Sequence, residues 1–338
     1  MSRLRLECTA PGRVRIIEEP VPRPEAGQVL VEVDHSAISS GTEMLVYRGQ
    51  WPAGVALDSS IGALAGAFSY PVSYGYASVG RITEVGKNIS TEWLNRRVFG
   101  FQPHQSHFCD RPDALQVIPD DIDDLTALFL ASMETAVNLL LDGSPLIGET
   151  VVVFGQGIIG LLTTSLLARF PLAALITVDN YSTRRQVSKQ CGASDCFDPH
   201  ADDLNHALGA AAGRGGDADL VYELSGNPEA LSASLALTRF SGRVVIGSWY
   251  GGKAVELDLG SVYHRGRVAL ISSQVSSLAP ELTGRWHKTR RLELAWEMLR
   301  LIRPAGFVTQ TFALAEAAEA YDLIDRSPDQ TIQVIFSY

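Results

Sequence analysis

Ten residues, Val151-Val-Val-Phe-Gly-Gln-Gly-Ile-Ile-Gly160, restrict the fold more than any other stretch of the chain. An uncharged, β-branched run leads straight into glycines at 155, 157 and 160, and the chain continues apolar, which predicts a buried strand turning abruptly into a helix. Each glycine answers a separate need. Gly155 permits the tight turn, Gly157 lets a pyrophosphate approach the backbone beside Gln156, and Gly160 lets helix and strand pack closely. The unpaired N–H groups at the helix start, around Ile158 and Ile159, then meet the anion. Asp179 closes the next apolar run, Leu175-Ile-Thr-Val-Asp, 19 residues beyond Gly160. An acid at that place accepts the adenosine ribose hydroxyls of a bound dinucleotide. Its charge repels a 2′-phosphate and favours NAD, while Arg184 and Arg185 stand close enough in sequence to neutralise that phosphate, so NADP stays open.

The surrounding texture agrees. Val151–Phe154, Leu175–Val178, Leu220–Leu224, Val244–Gly247 and Val268–Ile271 read as nearly continuous apolar strands, and helical stretches near Ile158–Phe170, Thr183–Cys191 and Glu229–Thr238 separate them. Strands of that kind belong to a parallel sheet covered on both faces, a doubly wound α/β domain. Before residue 123 the pattern is mostly β, with alternation at Val29–Val33 and Val79–Val85. The tail carries a helix at about Trp286–Leu301, a β-like Val308–Phe312, an Ala-rich helix and a last strand, Thr331–Phe336. A chain of 338 residues is about twice the usual single-domain length, so two domains are expected.

Composition narrows the class of function. Acidic residues number 38 against 28 basic ones, a formal charge of −10 that opposes general attraction to nucleic acid or to an anionic membrane. The uncharged runs Ser59–Gly80 and Thr150–Ala168 are interrupted by Pro71 and by the glycines, so no membrane span is expected. Charges throughout Met1–Pro20 leave no apolar stretch for a signal peptide. The four cysteines, Cys8, Cys109, Cys191 and Cys196, lack C-x-x-C spacing and read as reduced thiols. A cytoplasmic protein acting on a small molecule is the expectation.

Four segments occur in an order that resembles the medium-chain dehydrogenase/reductase superfamily nearly end to end. They are His35-Ser-Ala-Ile-Ser-Ser-Gly-Thr-Glu43, a P-x-x-x-G-Tyr-Ala-x-x-G stretch from Pro71 to Gly80, the glycine turn, and Leu220-Val-Tyr-Glu-Leu-Ser-Gly-Asn-Pro228. The Ser-x-Gly-Thr-Glu stretch is most similar to the zinc-free branch that includes bacteriochlorophyllide dehydrogenases. The resemblance implies a Rossmann domain, 123–274, inserted in a GroES-like β-rich catalytic domain made of 1–122 and 275–338. Ser225, Gly226 and Asn227 after one strand, and Ser248 and Trp249 after the next, complete the expected cofactor contacts. A homodimer through Val268–Ser272 is implied as well.

Zinc-dependent members carry a Cys before Gly-Thr-Asp and a Gly-His-Glu further on. Here those places read Ser39 or Ser40 and Gly75-Tyr76-Ala77, the third ligand position falls near Ala131, and the lobe that would hold a structural zinc keeps only Cys109. Zinc requires three protein ligands in a catalytic site and four in a structural one, so hydride transfer without metal is implied. His104 and His107 form an H-x-x-H that, with Glu43 or Glu134, is a metal site only if it escapes the ordinary fate of loop histidines.

Without a Lewis acid, charge growing on a carbonyl oxygen must meet preorganised hydrogen-bond donors. Thr42, Tyr76 and His104 are the candidates, Thr42 relaying the proton to the cofactor ribose as the resemblance implies. Tyr76 either donates to the substrate oxygen or fills the volume of the missing ligand. Glu134, among mostly apolar helical neighbours, is either a general acid or base with a raised pKa or a structural carboxylate held by backbone or an Arg. Glu43 is expected to orient His104 or Tyr76. Ser59–Ser69 is expected to be a mobile loop, and Arg285-Trp-His-Lys-Thr-Arg-Arg291 either a solvated helix face or a grip on an anionic substrate. The function expected is zinc-independent NAD(P)-dependent hydride transfer with a secondary alcohol, a ketone or an activated C=C bond. The alternative is a nucleotide-binding or structural protein of this fold without catalysis.

Overall fold

The computed structural model describes residues 2–58, 60–200, 204–212 and 217–338. The chain divides into two compact units, Met1–Ala131 with Arg303–Tyr338, and Ser132–Ile302. The first unit begins with an antiparallel hairpin, β1 (Ser2–Ala10) and β2 (Arg13–Pro20), and continues as β3 (Val29–Ala37), β4 (Ser78–Val85), β5 (Arg97–Gly100), β6 (His107–Asp110) and β7 (Gln116–Val117). Its helices are α1 (Thr42–Arg48), the short α2 (Asp124–Ala127), and the start of α3 (Leu130–Gly143), most of which belongs to the second unit.

In the second unit β8 (Thr150–Phe154), β9 (Ala174–Val178), β10 (Asp195–Phe197), β11 (Ala218–Glu223), β12 (Thr238–Ile246) and β13 (Ala269–Ser272) form one sheet in the order β10-β9-β8-β11-β12-β13, every pair parallel. Between them run α4 (Ile158–Leu167), α5 (Ser182–Gln190), α6 (Leu204–Ala212), α7 (Pro228–Ala236) and the single-turn α8 (His264–Gly266); α9 (Lys288–Ile302) follows β13. Relabelled from β8, the order is 3-2-1-4-5-6, the Rossmann arrangement, with the switch point between β8 and β11.

The reason for the continuous apolar runs is visible in their packing. Val152, Phe154, Ile176, Val178, Val221 and Val244 point into one buried cluster, and the alternating Val151, Val153, Leu175, Leu220, Tyr222 and Val245 into another, so both faces of the sheet are dry. The sequence pattern missed β10, whose three residues are only half-buried, and α6.

The chain then returns to the first unit through α10 (Ala317–Arg326) with β14 (Val308–Ala313) and β15 (Gln333–Ser337), completing the sheet β14-β15-β3-β4-β5-β7, to which β6 adds against β3. This is the GroES-like part of the molecule. The unit boundaries lie at 131/132 and 302/303, later than the 122/123 and 274/275 read from the sequence. The second displacement has a physical cause. Arg291 of α9 is buried to 1% exposure against Glu134 and Asn138 of α3, which ties α9 to the second unit.

Candidate active site

At the carboxyl end of β8 the backbone turns at Gly155 with φ +87°, and a Cβ there would come within 2.6 Å of the Ser225 nitrogen. At Gly160 a Cβ would lie 1.9 Å from the Gly155 carbonyl oxygen. Gly157 differs: the nearest atom to its missing Cβ is Arg184 Nη1 at 3.9 Å, so the space over this residue is open. Two glycines are thus required by packing and one leaves room, and α4 begins there with Gly157 as its N-cap and no side chain spent on its free N–H groups. Ile158 and Ile159 turn into apolar packing, so only their backbone can serve a ligand. The Gln156 side chain is likewise internal, with Nε2 donating to the Gly155 carbonyl (3.1 Å) and Oε1 accepting from Thr164 (3.0 Å).

Asp179 stands beside this turn, at the end of β9. Its Oδ2 accepts from the Gln156 N–H (2.6 Å) and its Oδ1 from the Tyr181 N–H (2.9 Å), leaving further lone pairs on each oxygen. Arg184 lies over the Tyr181 ring at 4.8 Å. Arg185 is committed elsewhere, bonded to Asp198 (3.0 Å) and to the carbonyls of Asp179 and Asn180. This corrects the expectation that it answers a 2′-phosphate.

The loops after β11 and β12 are organised by a residue that sequence reasoning missed. Glu223, wholly buried at the end of β11, accepts from the Ser225 N–H (2.7 Å), the Ser225 hydroxyl (2.5 Å) and the Gly226 N–H (3.1 Å) through Oε1, and from Tyr250 (2.6 Å) through Oε2. Ser248 donates to its carbonyl at 3.3 Å. Asn227 caps α7 by accepting from the Glu229 N–H, so its side chain has a structural task, and Trp249 is 43% exposed. The only sequence signal for Glu223 was an acid closing an apolar run, the same signal that singled out Asp179.

In the first unit, Gly41 and Thr42 open α1, whose Met44, Leu45, Val46 and Tyr47 are buried and fix its direction. Tyr76 donates to Ser39 Oγ at 2.5 Å and also shares a hydrogen bond with Thr42. Burial pushes the Tyr76 phenol above its ordinary range despite those two hydrogen bonds, and the Glu43 carboxylate adds to the rise. Three hydroxyls therefore meet, and the phenol keeps its proton. Ser39, noted in the sequence only as a lost ligand, is the member that sequence reasoning did not nominate.

Behind them lies a buried chain. Glu43 accepts from the Ser39 N–H (3.0 Å), from His104 Nε2 (2.9 Å) and from the Tyr321 hydroxyl, while Ser36 Oγ bonds both His104 Nδ1 (2.6 Å) and Tyr338 (2.7 Å). The carboxylate at Nε2 fixes the tautomer, with the Ser36 hydroxyl donating to Nδ1. His104 has no exposed surface and both ring nitrogens are engaged, which corrects its expected role as donor to a substrate oxygen. His107 lies on β6 and bonds Ser106 instead, so the two histidines do not form a pair of ligands.

Glu134 is also corrected. Its Oε1 accepts from Arg291 Nε (3.1 Å) and Nη2 (2.8 Å), the second of the two roles expected for it. In the basic stretch, Arg291 is thereby consumed and Arg290 stacks on Trp286 at 4.1 Å. Of the expected loop Ser59–Ser69, Ser59 lies outside the described residues. Asp58 accepts from the Ser60 and Ile61 N–H groups, and Leu64 is packed at 2% exposure with Trp51 and Tyr74.

By the resemblance, a zinc ion in the family position would draw its ligands from Ser39 or Ser40, from Tyr76 and from the neighbourhood of Ala131. Two neutral hydroxyls bonded to each other and a methyl group offer neither the thiolate nor the imidazole that zinc prefers, so these residues do not fit it. The family model for zinc-binding dehydrogenases matches residues 159–291, a span that contains none of these three positions. The chain is 24% identical to D-guloside 3-dehydrogenase of Escherichia coli (strain K12) over 98% of each chain. Its fold resembles a short chain alcohol dehydrogenase (rspB) from E. coli CFT073 complexed with NADH, at TM-score 0.81 and 19% identity over 100% of each chain. It equally resembles 2R,3R-butanediol dehydrogenase from Bacillus subtilis, at TM-score 0.81 and 17% identity over 99% of each. With the Rossmann strand order, the glycine turn and the acid at the end of β9, these likenesses make the chain similar over its length to the zinc-type alcohol dehydrogenase-like medium-chain dehydrogenase/reductase superfamily.

Proposed function

We propose that this NAD(P)-dependent oxidoreductase interconverts a secondary alcohol and its ketone without zinc, with NAD as the preferred cofactor. The observation that carries the reading is the hydroxyl cluster of Ser39, Thr42 and Tyr76 at the family's metal-ligand end of the first unit. A nicotinamide, when bound, would take hydride from the alcohol in its oxidised form and give hydride to the ketone in its reduced form. The chain's own residues handle the oxygen. Ser39 Oγ accepts the hydrogen bond from Tyr76 and so keeps its own O–H to donate, and Thr42 brings a second donor. Negative charge growing on a ketone oxygen during reduction is stabilised by such donors when they are fixed beforehand. Two donors, one of them aimed by the Tyr76 phenol, answer an oxygen, which favours C=O over C=C chemistry. Glu43 and His104 hold Ser39 and α1 in place from behind rather than meeting the substrate. A sugar-like alcohol is supported by the D-guloside 3-dehydrogenase relative.

In the second unit, Asp179 favours NAD by its charge, and Gly157 leaves the backbone of α4 open to pyrophosphate. A homodimer through the outer edge of β13, which ends the six-stranded sheet, accompanies this reading. So does a cytoplasmic location, which suits four unpaired cysteines.

Thermal-shift measurements with NAD, NADH, NADP and NADPH, on protein treated with a chelator, test it directly. A ligand at about 100 times its Kd adds about 2.7 kcal/mol of stability, and NAD(H) is expected to raise Tm more than NADP(H). Absence of any shift, or turnover that requires restored zinc, would remove the reading.

A further inference from the structure

The Glu134–Arg291 pair has more built around it than an ordinary tether of helix to helix. The guanidinium is 1% exposed and spends all five of its N–H groups. Nε and Nη2 donate to Glu134 Oε1 and Nη1 to Asn138 Oδ1 (2.5 Å). The remaining donors reach the carbonyls of Val275 (2.5 Å) and Ser277 (3.4 Å). Asn138 in turn donates to Ser273 Oγ (3.1 Å) and Asp142 Oδ2 (2.9 Å), and Ser273 donates to the same Asp142 oxygen (2.6 Å). A buried ion pair contributes little net stability against an apolar replacement, so what this one holds matters more than its strength. It holds Ser273, Val275 and Ser277, alternate residues of the segment leaving β13.

That segment starts at the carboxyl end of the sheet, where the Ser273 N–H continues the ladder by donating to the Ile246 carbonyl of β12 (3.0 Å). In a sheet of order 3-2-1-4-5-6 a dinucleotide crosses the carboxyl ends at the switch point, one mononucleotide over each half. Asp179 assigns the adenosine to the half made by β8, β9 and β10. The nicotinamide therefore belongs to the half made by β11, β12 and β13, whose outermost wall is the β13 exit. We propose that Glu134 and Arg291 are positioning residues for the nicotinamide half of the cofactor site. They touch no cofactor atom; they fix the peptide segment Ser273–Ser277 that borders it. The inference rests on the nicotinamide reading above.

Glu134→Gln keeps the side-chain shape and removes the charge, and Arg291→Lys keeps the charge and loses the planar fork. NADH is titrated by its fluorescence, and AMP, which probes the adenosine half alone, by calorimetry. Loss of a hydrogen bond to a charged group corresponds to about tenfold in affinity, so the NADH Kd should rise by about that factor in both variants while that of AMP is unchanged. An unaltered NADH Kd, or equal weakening of NADH and AMP, would overturn the proposal, the second outcome marking a pair that only supports the fold. Glu134→Gln decides alone if Arg291→Lys does not fold. Wild-type protein that binds AMP but neither NADH nor NADPH would instead remove the nicotinamide reading, and the inference with it.

Discussion

Tyr76 shows how a phenol, at a place where the resemblance implies an imidazole, sets the chemistry available. An imidazole would offer a lone pair to a cation, whereas this phenol, pushed above its ordinary range first by burial, keeps its proton and donates a hydrogen bond to Ser39. Tyr76→Phe removes the donor while preserving the ring that packs near Tyr74 at 6.2 Å. The phenol aims the Ser39 hydroxyl at the oxygen, so its loss should cost kcat up to the roughly 10²-fold that losing one preorganised oxyanion donor costs, and NADH affinity should be unaffected. Steady-state kinetics with parallel NADH titration check this; unchanged kcat would make the phenol a space-filler. The raised phenol also means that no fall in activity from its ionisation is expected below pH 10. Tyr76 and Asp179 were readable from sequence because a motif frames each of them. The partners that decide His104 and Glu134 were not. His104 meets Ser36 across 68 residues and Glu134 meets Arg291 across 157, and no local pattern encodes pairings of that length.

The turn from β8 into α4 separates two kinds of glycine requirement that a motif alone conflates. Gly160→Ala drives a methyl group into the Gly155 carbonyl at 1.9 Å, against backbone that has nowhere to yield. Overpacking of this kind costs about 1–3 kcal/mol, read as a lower urea midpoint with or without cofactor. Gly157→Ala meets only Arg184 Nη1 at 3.9 Å, so the midpoint of the free protein should stay where it is while NADH binding weakens. Equal destabilisation by both changes would contradict the division of roles. The same elements show why parts of the sheet could be read and others not. β8 and β9 are buried on both faces and leave continuous apolar runs, whereas β10 is three half-buried residues with polar neighbours and leaves no periodic trace. Helix α9 was visible by its period, but its membership of the second unit depends on Arg291, which reads as one more surface charge until Glu134 is known to face it.

Both units bury acids that resist ionisation, and this gives the molecule a predictable weakness at high pH. Burial raises Cys8 from 9.0 to about 12, with the nearby Glu43 adding to the rise. It also lifts the phenols of Tyr74 and Tyr321 in the first unit and Tyr222 in the second above their ordinary value of 10.0. A group whose folded pKa exceeds its unfolded one prefers the protonated folded state. Its stabilising contribution is complete below the unfolded pKa and is lost as pH climbs towards the folded value. Stability should therefore begin to fall above pH 9.0, where unfolded Cys8 starts to ionise, and fall more steeply above 10.0, where the phenols join it. Each group contributes a slope of about 1.4 kcal/mol per pH unit. Tyr222 isolates one of these contributions. Its hydroxyl is buried without a hydrogen-bond partner among the described residues, so Tyr222→Phe removes an unsatisfied polar group and should gain about 1 kcal/mol at neutral pH. The same variant should lose stability less steeply than wild type above pH 10.0, because one ionising phenol is gone. Urea unfolding at neutral and alkaline pH, followed by probes in each unit, measures both effects, and a wild-type stability that stayed level beyond pH 10.0 would show that these buried acids ionise without unfolding the chain.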